Sequence, residues 1–182
     1  MNKIQKVDKC FSDEKFTSFA GYYEVDSYED VGNFLRTVHD DIFWKVTYHT
    51  GLSDTHITSI FAKSLKWLEF ETANGPFNKN SMFINFSIGD GFFKQKKKFT
   101  IGKTFILNQP FSTEPLTIKV SWDPNKENLV FSYSTNKGDV IWKCSKNDRG
   151  INLIGKRRKN EPHARLSMKR IYSTNDEDGA KS

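Results

Sequence analysis

The residues most suggestive of chemistry lie near the C-terminus. In the run from His163 to Tyr172, strand alternation places Leu166, Met168, Arg170 and Tyr172 on one face. Ser167, Lys169 and Ile171 take the other. A guanidinium and a phenol thus follow two apolar side chains on the same side. Facing an enclosed lumen, they supply a fork that pairs both oxygens of a carboxylate and a neutral donor beside it. A buried guanidinium without an anion or ordered water is costly, so the chemistry in that case is anion binding. With the strand turned over, Ile171 points inward and Arg170 lies on the surface. Alternation alone leaves both arrangements open.

Other reactive side chains form no recognisable site. His39, His49, His56 and His163 are scattered, and no HExxH, P-loop, GxSxG or paired catalytic carboxylates occur. Neither an enzyme nor a bound metal or other cofactor is expected. Cys10 and Cys144 make no CxxC motif and no disulfide framework, which points to a reducing, cytoplasmic setting. The first fifteen residues alternate in charge and lack the apolar stretch of a secretory signal; a processed form that has lost its leader is the other reading.

The elements that must position Arg170 and Tyr172 are read from periodicity. After residue 66 the pattern is β throughout, with runs of Phe, Ile, Val and Trp punctuated by Asn, Gly, Asp and Pro. Strands are predicted near 67–72, 81–87, 94–101, 104–108, 116–121, 128–134, 139–145, 150–156 and 164–173. With a first strand at 21–25 the total is ten, and short connections favour an all-β, antiparallel up-and-down barrel. Between the first two strands the period changes to that of a helix. Ser27 to Asp30 fits a capping box, and Tyr28, Val31, Phe34, Leu35 and Val38 share one face. Asp40 is a cap for a second helix over 41–50, which Gly51 ends. Ile57, Ile60, Phe61, Leu65 and Leu68 continue the amphipathic period, either as a third helix or as an irregular lead into the second strand.

Composition adds a constraint. Of 182 residues 36% are hydrophobic, yet 16 Phe, 6 Tyr and 4 Trp make the aromatic share 14%. That is few aliphatics for a solid core and many rings for a disordered chain. Net charge is +6, divided as +1 over an N-terminal extension (1–15), +7 over the barrel domain (16–174) and −2 over an acidic tail (175–182). A basic body suggests anionic partners.

Several segments resemble the intracellular lipid-binding proteins, that is, the fatty-acid-binding proteins and their retinoid-binding relatives in the calycin superfamily. Arg170-Ile171-Tyr172 is similar to their C-terminal Arg-x-Tyr. Phe19 to Val25 resembles their opening strand, and Ser27 to Leu35 the start of their first helix. Phe99-Thr100-Ile101-Gly102-Lys103-Thr104-Phe105 resembles their Phe-x-Leu-Gly-x-x-Phe turn between the fourth and fifth strands. The likeness covers roughly residues 16–173. It departs at Tyr23, usually Trp, at an insertion near 52–65, and at Lys143, where the family's second cavity arginine falls.

The resemblance implies a ten-stranded clam-like barrel with a helix-turn-helix lid and a water-filled cavity, carrying one or two long-chain fatty acids or similar hydrophobic anions as a cytoplasmic monomer. Arg170 and Tyr172 would hold the carboxylate with Lys143 nearby, and the tail would run among Phe and Met side chains such as Met168. Phe92, after Gly89-Asp90-Gly91, corresponds to the aromatic guarding the portal; the plain alternative is a turn ring packing locally. Lys94, Lys96, Lys97 and Lys98 would form a basic rim that meets anionic membranes, each contributing on the order of 1 kcal/mol. Lys156-Arg157-Arg158-Lys159 is a solvated loop, part of that rim or a nuclear-import signal. The competing class is a basic, aromatic barrel that binds single-stranded nucleic acid through the Phe/Lys run 93–99.

Overall fold

The structure is a computed structural model, and it describes residues 14–88, 93–109, 114–157 and 163–172. The first thirteen residues, Phe92, Arg158-Lys159 and the acidic tail lie outside them.

Ten antiparallel strands form one sheet; a short helix precedes the first strand, and three more sit between the first two. Helix α1 (Glu14–Thr17) leads into β1 (Gly21–Glu29). Then come α2 (Val31–Val38), α3 (Asp40–Thr50) and α4 (Asp54–Ala62). The remaining strands are β2 (Leu65–Thr72), β3 (Ser81–Ile88), β4 (Phe93–Thr100), β5 (Thr104–Leu107), β6 (Leu116–Trp122), β7 (Leu129–Thr135), β8 (Gly138–Lys146), β9 (Gly150–Arg157) and β10 (Ala164–Ile171). Except across the β4–β5 step, each strand pairs with its chain neighbour, and β1 also pairs with β10, so the order runs from β4 through β1 and β10 round to β5. The meander predicted from the turns is the one observed.

The ladder is interrupted only between β4 and β5. There the buried Gln95 side chain replaces a backbone pair: its Nε2 donates to the Asn108 carbonyl at 2.7 Å and its Oε1 accepts from the Asn108 N–H at 3.1 Å. One amide thus satisfies both groups of an otherwise unpaired peptide, as buried backbone requires.

The lid begins later than the capping box suggested. Strand β1 continues to Glu29 through a bulge between Val25 and Ser27, and Ser27 pairs with Ser167 in the sheet. The cap of α2 is Asp30, at φ 54°, with no side-chain hydrogen bond. Long antiparallel pairing with β10 takes precedence over the local signal. The third amphipathic run is a helix: Ser53 Oγ accepts the His56 N–H at 3.3 Å, and Ile57 is buried. Helices α2 and α4 meet at Gly32, where a Cβ would stand 2.3 Å from the Thr58 carbonyl oxygen. Only a residue without a side chain permits that approach.

Rings fill one half of the barrel. Phe16 and Phe19, delivered by α1, are buried against Trp122, and Phe16 also meets Phe99 edge-on with centroids 6.1 Å apart. Phe99 contacts Phe70 at 5.9 Å and Phe131 at 5.7 Å, while Phe70 stacks on Phe131 at 6.2 Å. Such edge and offset contacts add to the area each ring removes from water. The scarcity of aliphatics therefore does not mean an empty barrel: at this end the rings are the core.

Candidate ligand cavity

The other half of the barrel holds an apolar cavity of about 250 Å³ beneath the lid. Leu35 of α2 and Phe61 of α4 roof it, Ile84 and Phe86 of β3 and Leu153 of β9 form walls, and Phe70 closes it toward the ring cluster. The helices are seated by Phe34, whose ring meets Trp142 edge-on at 5.3 Å and covers Gly155 so closely that a Cβ there would stand 2.9 Å away. A hollow of about 560 Å³ over Thr117, Ser132 and Asp139 is larger, but polar groups line it. The interior cavity is the one able to take an apolar ligand.

The polar groups among its lining residues belong to Tyr133, Trp142 and Ser64. Tyr133 of β7 shares a hydrogen bond with His39 Nε2 at 3.1 Å and accepts from Trp142 Nε1 at 3.4 Å. The His39 and Tyr133 rings also stack, 5.8 Å apart. Burial pushes the Tyr133 phenol up to about 12, with the Trp142 hydrogen bond opposing, so it is neutral at physiological pH. Because His39 lies at the joint between α2 and α3, this bond ties the lid to the barrel wall.

The residues expected at the site are dispersed. Arg170 does lie on the inner face with Leu166 and Met168, and Ile171 on the outer, which settles the choice that alternation left open. But Arg170 sits at the closed end, its side chain against Gly21 and its guanidinium 5.1 Å from the Tyr172 ring. Leu166 lines the cavity, and four strand residues put Arg170 roughly 13 Å further on. Tyr172 is 65% exposed. Met168 and Tyr23 are packed among the ring cluster, and Tyr23 donates to the Phe19 carbonyl at 2.8 Å. Burial, only partly offset by the Arg170 charge, pushes the Tyr23 phenol up to about 12.

Lys143 corrects the assignment by spacing. On β8 the buried, inward residues are Val140 and Cys144, so Lys143 faces outward, where its Nζ is 3.7 Å from Asp123. The neighbouring Cys144 takes the inner position, and burial holds its thiol near 12, protonated and unreactive. The basic rim is also divided. Lys94, Lys96 and Lys98 are exposed, Lys96 pairs with Glu71 at 2.6 Å and Lys98 donates to Asn78. Lys97 lies on the inner face, opposite Ile84 in the ladder.

Sequence reasoning passed over His39, Tyr133, Trp142 and the inward position of Lys97. Counting back by two from Phe99, fixed inward by the turn it opens, would have placed Lys97. Similarly, Phe131 fixes Tyr133. His39 carried no such signal, since its partner is 94 residues away. Among the described residues no cluster of three or more metal-ligating side chains occurs, and no helix is long and apolar enough to cross a membrane.

A ten-stranded antiparallel clam with a helical lid after the first strand is the architecture of the fatty-acid-binding and related lipid-binding proteins, and this chain has that fold. It superposes on a fatty-acid-binding protein from Manduca sexta with TM-score 0.57 and 18% identity, over 83% of this chain and 98% of that one. The REP1-NXSQ fatty acid transporter gives 0.60 at 17% identity, over 86% and 98%. Lipid binding protein 8 of Caenorhabditis elegans gives 0.60 at 11% identity, over 88% and 99%. No family model matches the sequence, and no curated protein matches it at significance.

Proposed function

We propose that the protein is a non-enzymatic, monomeric cytoplasmic carrier that holds a long-chain fatty acid or similar hydrophobic anion in the cavity beneath the lid. The observation that carries this reading is the cavity itself: an almost wholly apolar space beneath the lid, inside a fold shared with proteins named for fatty-acid and lipid binding. Its 250 Å³ is below the roughly 300–1,000 Å³ of drug-sized sites. A long ligand therefore inserts its tail only as the lid gives way. The His39–Tyr133 bond is the contact such a movement breaks first. Lys94, Lys96 and Lys98 all face outward, where an anionic bilayer would meet them during transfer, Lys96 and Lys98 exchanging Glu71 and Asn78 for lipid headgroups.

The nucleic-acid reading finds less support. Stacking needs exposed rings beside cations, whereas Phe99 is buried and Phe83 lies under Lys96, 5.0 Å from its Nζ. The two readings separate by titration. A fluorescent fatty acid should saturate at about one per chain and be displaced by oleate. Absence of uptake, together with tight oligonucleotide binding that weakens steeply with salt, would replace the carrier with the nucleic-acid binder.

A further inference from the structure

We propose that Lys97 is the counter-charge for the ligand's carboxylate, placing the acid head at the β4–β5 seam and its tail in the apolar cavity. The inference rests on the carrier reading above and names the head-group position within it.

The strand register fixes the side chain's direction. In β4, Gln95, Lys97 and Phe99 face inward, opposite Phe86, Ile84 and Met82 of β3. Ile84 and Phe86 line the cavity, as do Phe105 and Leu107 of β5; Lys97 is not itself among the lining residues but faces inward beside Ile84, next to the β4–β5 break in the ladder. It is half-buried and makes no hydrogen bond or ion pair among the described residues. Its outward neighbours are engaged, Lys96 by Glu71 and Lys98 by Asn78. So are the other cations on the inner face. Arg170 lies over Tyr172 at the closed end, Lys146 over Phe19 with Ser18 as acceptor, and Arg157 at the lid end donates to the Lys137 carbonyl.

A half-buried, inward-facing ammonium with no protein anion paired to it has its charge unbalanced by the protein, and an entering carboxylate supplies what is missing. Gln95 does not compete for that carboxylate, because both ends of its amide are committed to Asn108. A Lys is a point charge without a fork, so it balances a single negative head without fixing the head's orientation. The gap beside it leaves the head partly hydrated while the tail lies among apolar side chains. The ligand would lie in the opposite sense to one whose head meets Arg170.

The test compares oleate with oleyl alcohol, which has the same chain and no charge, by displacement of a neutral fluorescent probe. Lys97→Met keeps the apolar stem and should weaken oleate about tenfold while leaving oleyl alcohol unchanged. Lys97→Arg should restore oleate binding, and Lys96→Met should alter neither ligand. Carboxyl-labelled oleate, followed by NMR, should titrate at lower pH in the parent than in Lys97→Met. Unchanged oleate affinity and carboxyl titration in Lys97→Met, in a protein that binds oleate, would overturn the assignment and leave the carrier intact. If the parent takes up neither oleate nor oleyl alcohol, the carrier reading itself fails and the assignment with it.

Discussion

Phe70 separates the ring-filled half of the barrel from the cavity, and removing it tests that division. Its side chain is fully buried, lines the cavity and touches Tyr23, Phe99 and Phe131. Phe70→Ala should destabilise the fold by about 3–5 kcal/mol, the usual cost of deleting a core ring. A domain with about 5–15 kcal/mol of stability remains folded at the upper part of that range. The same deletion deepens the cavity toward the closed end. If the new space admits two or three further methylenes, at about 0.8 kcal/mol each, affinity for a longer chain rises by about 1.6–2.4 kcal/mol, or roughly fifteen- to sixtyfold. Urea denaturation measures the first quantity, and displacement by saturated acids of twelve to eighteen carbons measures the second. The preferred chain length should move upward as stability falls. A variant that is destabilised but keeps the parent's chain-length profile would refute the placement of the ligand above Phe70.

Other substitutions probe the lid, the seam and the turns. Gly32→Ala should cost about 1–3 kcal/mol by overpacking α2 against α4, and limited proteolysis should then cut the lid faster. Gln95→Leu leaves the Asn108 N–H and carbonyl unpaired, so amide exchange at Asn108 should accelerate while strands far from the seam keep their protection. Asp123 is pushed up by burial, but hydrogen bonds from the Asn128 side chain and the Glu127 and Asn128 amides outweigh this, with Lys143 helping, and lower it to about 2. A carboxyl held below its ordinary value stabilises the fold above about pH 4 and loses that contribution as pH falls toward 2. Asp123→Asn should therefore flatten the denaturation midpoint over that window. Cys144 should resist maleimide in the folded protein and react once urea unfolds it, which peptide mapping resolves from Cys10.

The barrel was legible in the sequence because its signals are local. Turn residues such as Asn136-Lys137-Gly138 and the alternation of β6 to β9 determine strand number, and short connections determine the meander. The site was less legible because it depends on phase. One residue of slip between Lys143 and Cys144 exchanges inner and outer faces, and spacing alone does not anchor it. The burial of Val140, with partly buried Trp142 on the same face, does. Ser27 shows the converse, a sound capping signal overruled by a strand that pairs with residues 140 positions away. The filling of the closed end was invisible for another reason: Phe16 and Phe19 precede the first strand, and nothing local says that they fold back beneath it.

The seam bridged by Gln95 has a consequence for how copies of the protein behave together. An interrupted ladder leaves β4 and β5 as sheet edges, and an edge strand is a template on which another chain can add. Here one edge is only four residues long. The other carries Lys94, Lys96 and Lys98 along its exposed face. Two such edges brought together would set like charges side by side. The basic run thus protects a barrel that is never fully closed from polymerising through its own opening.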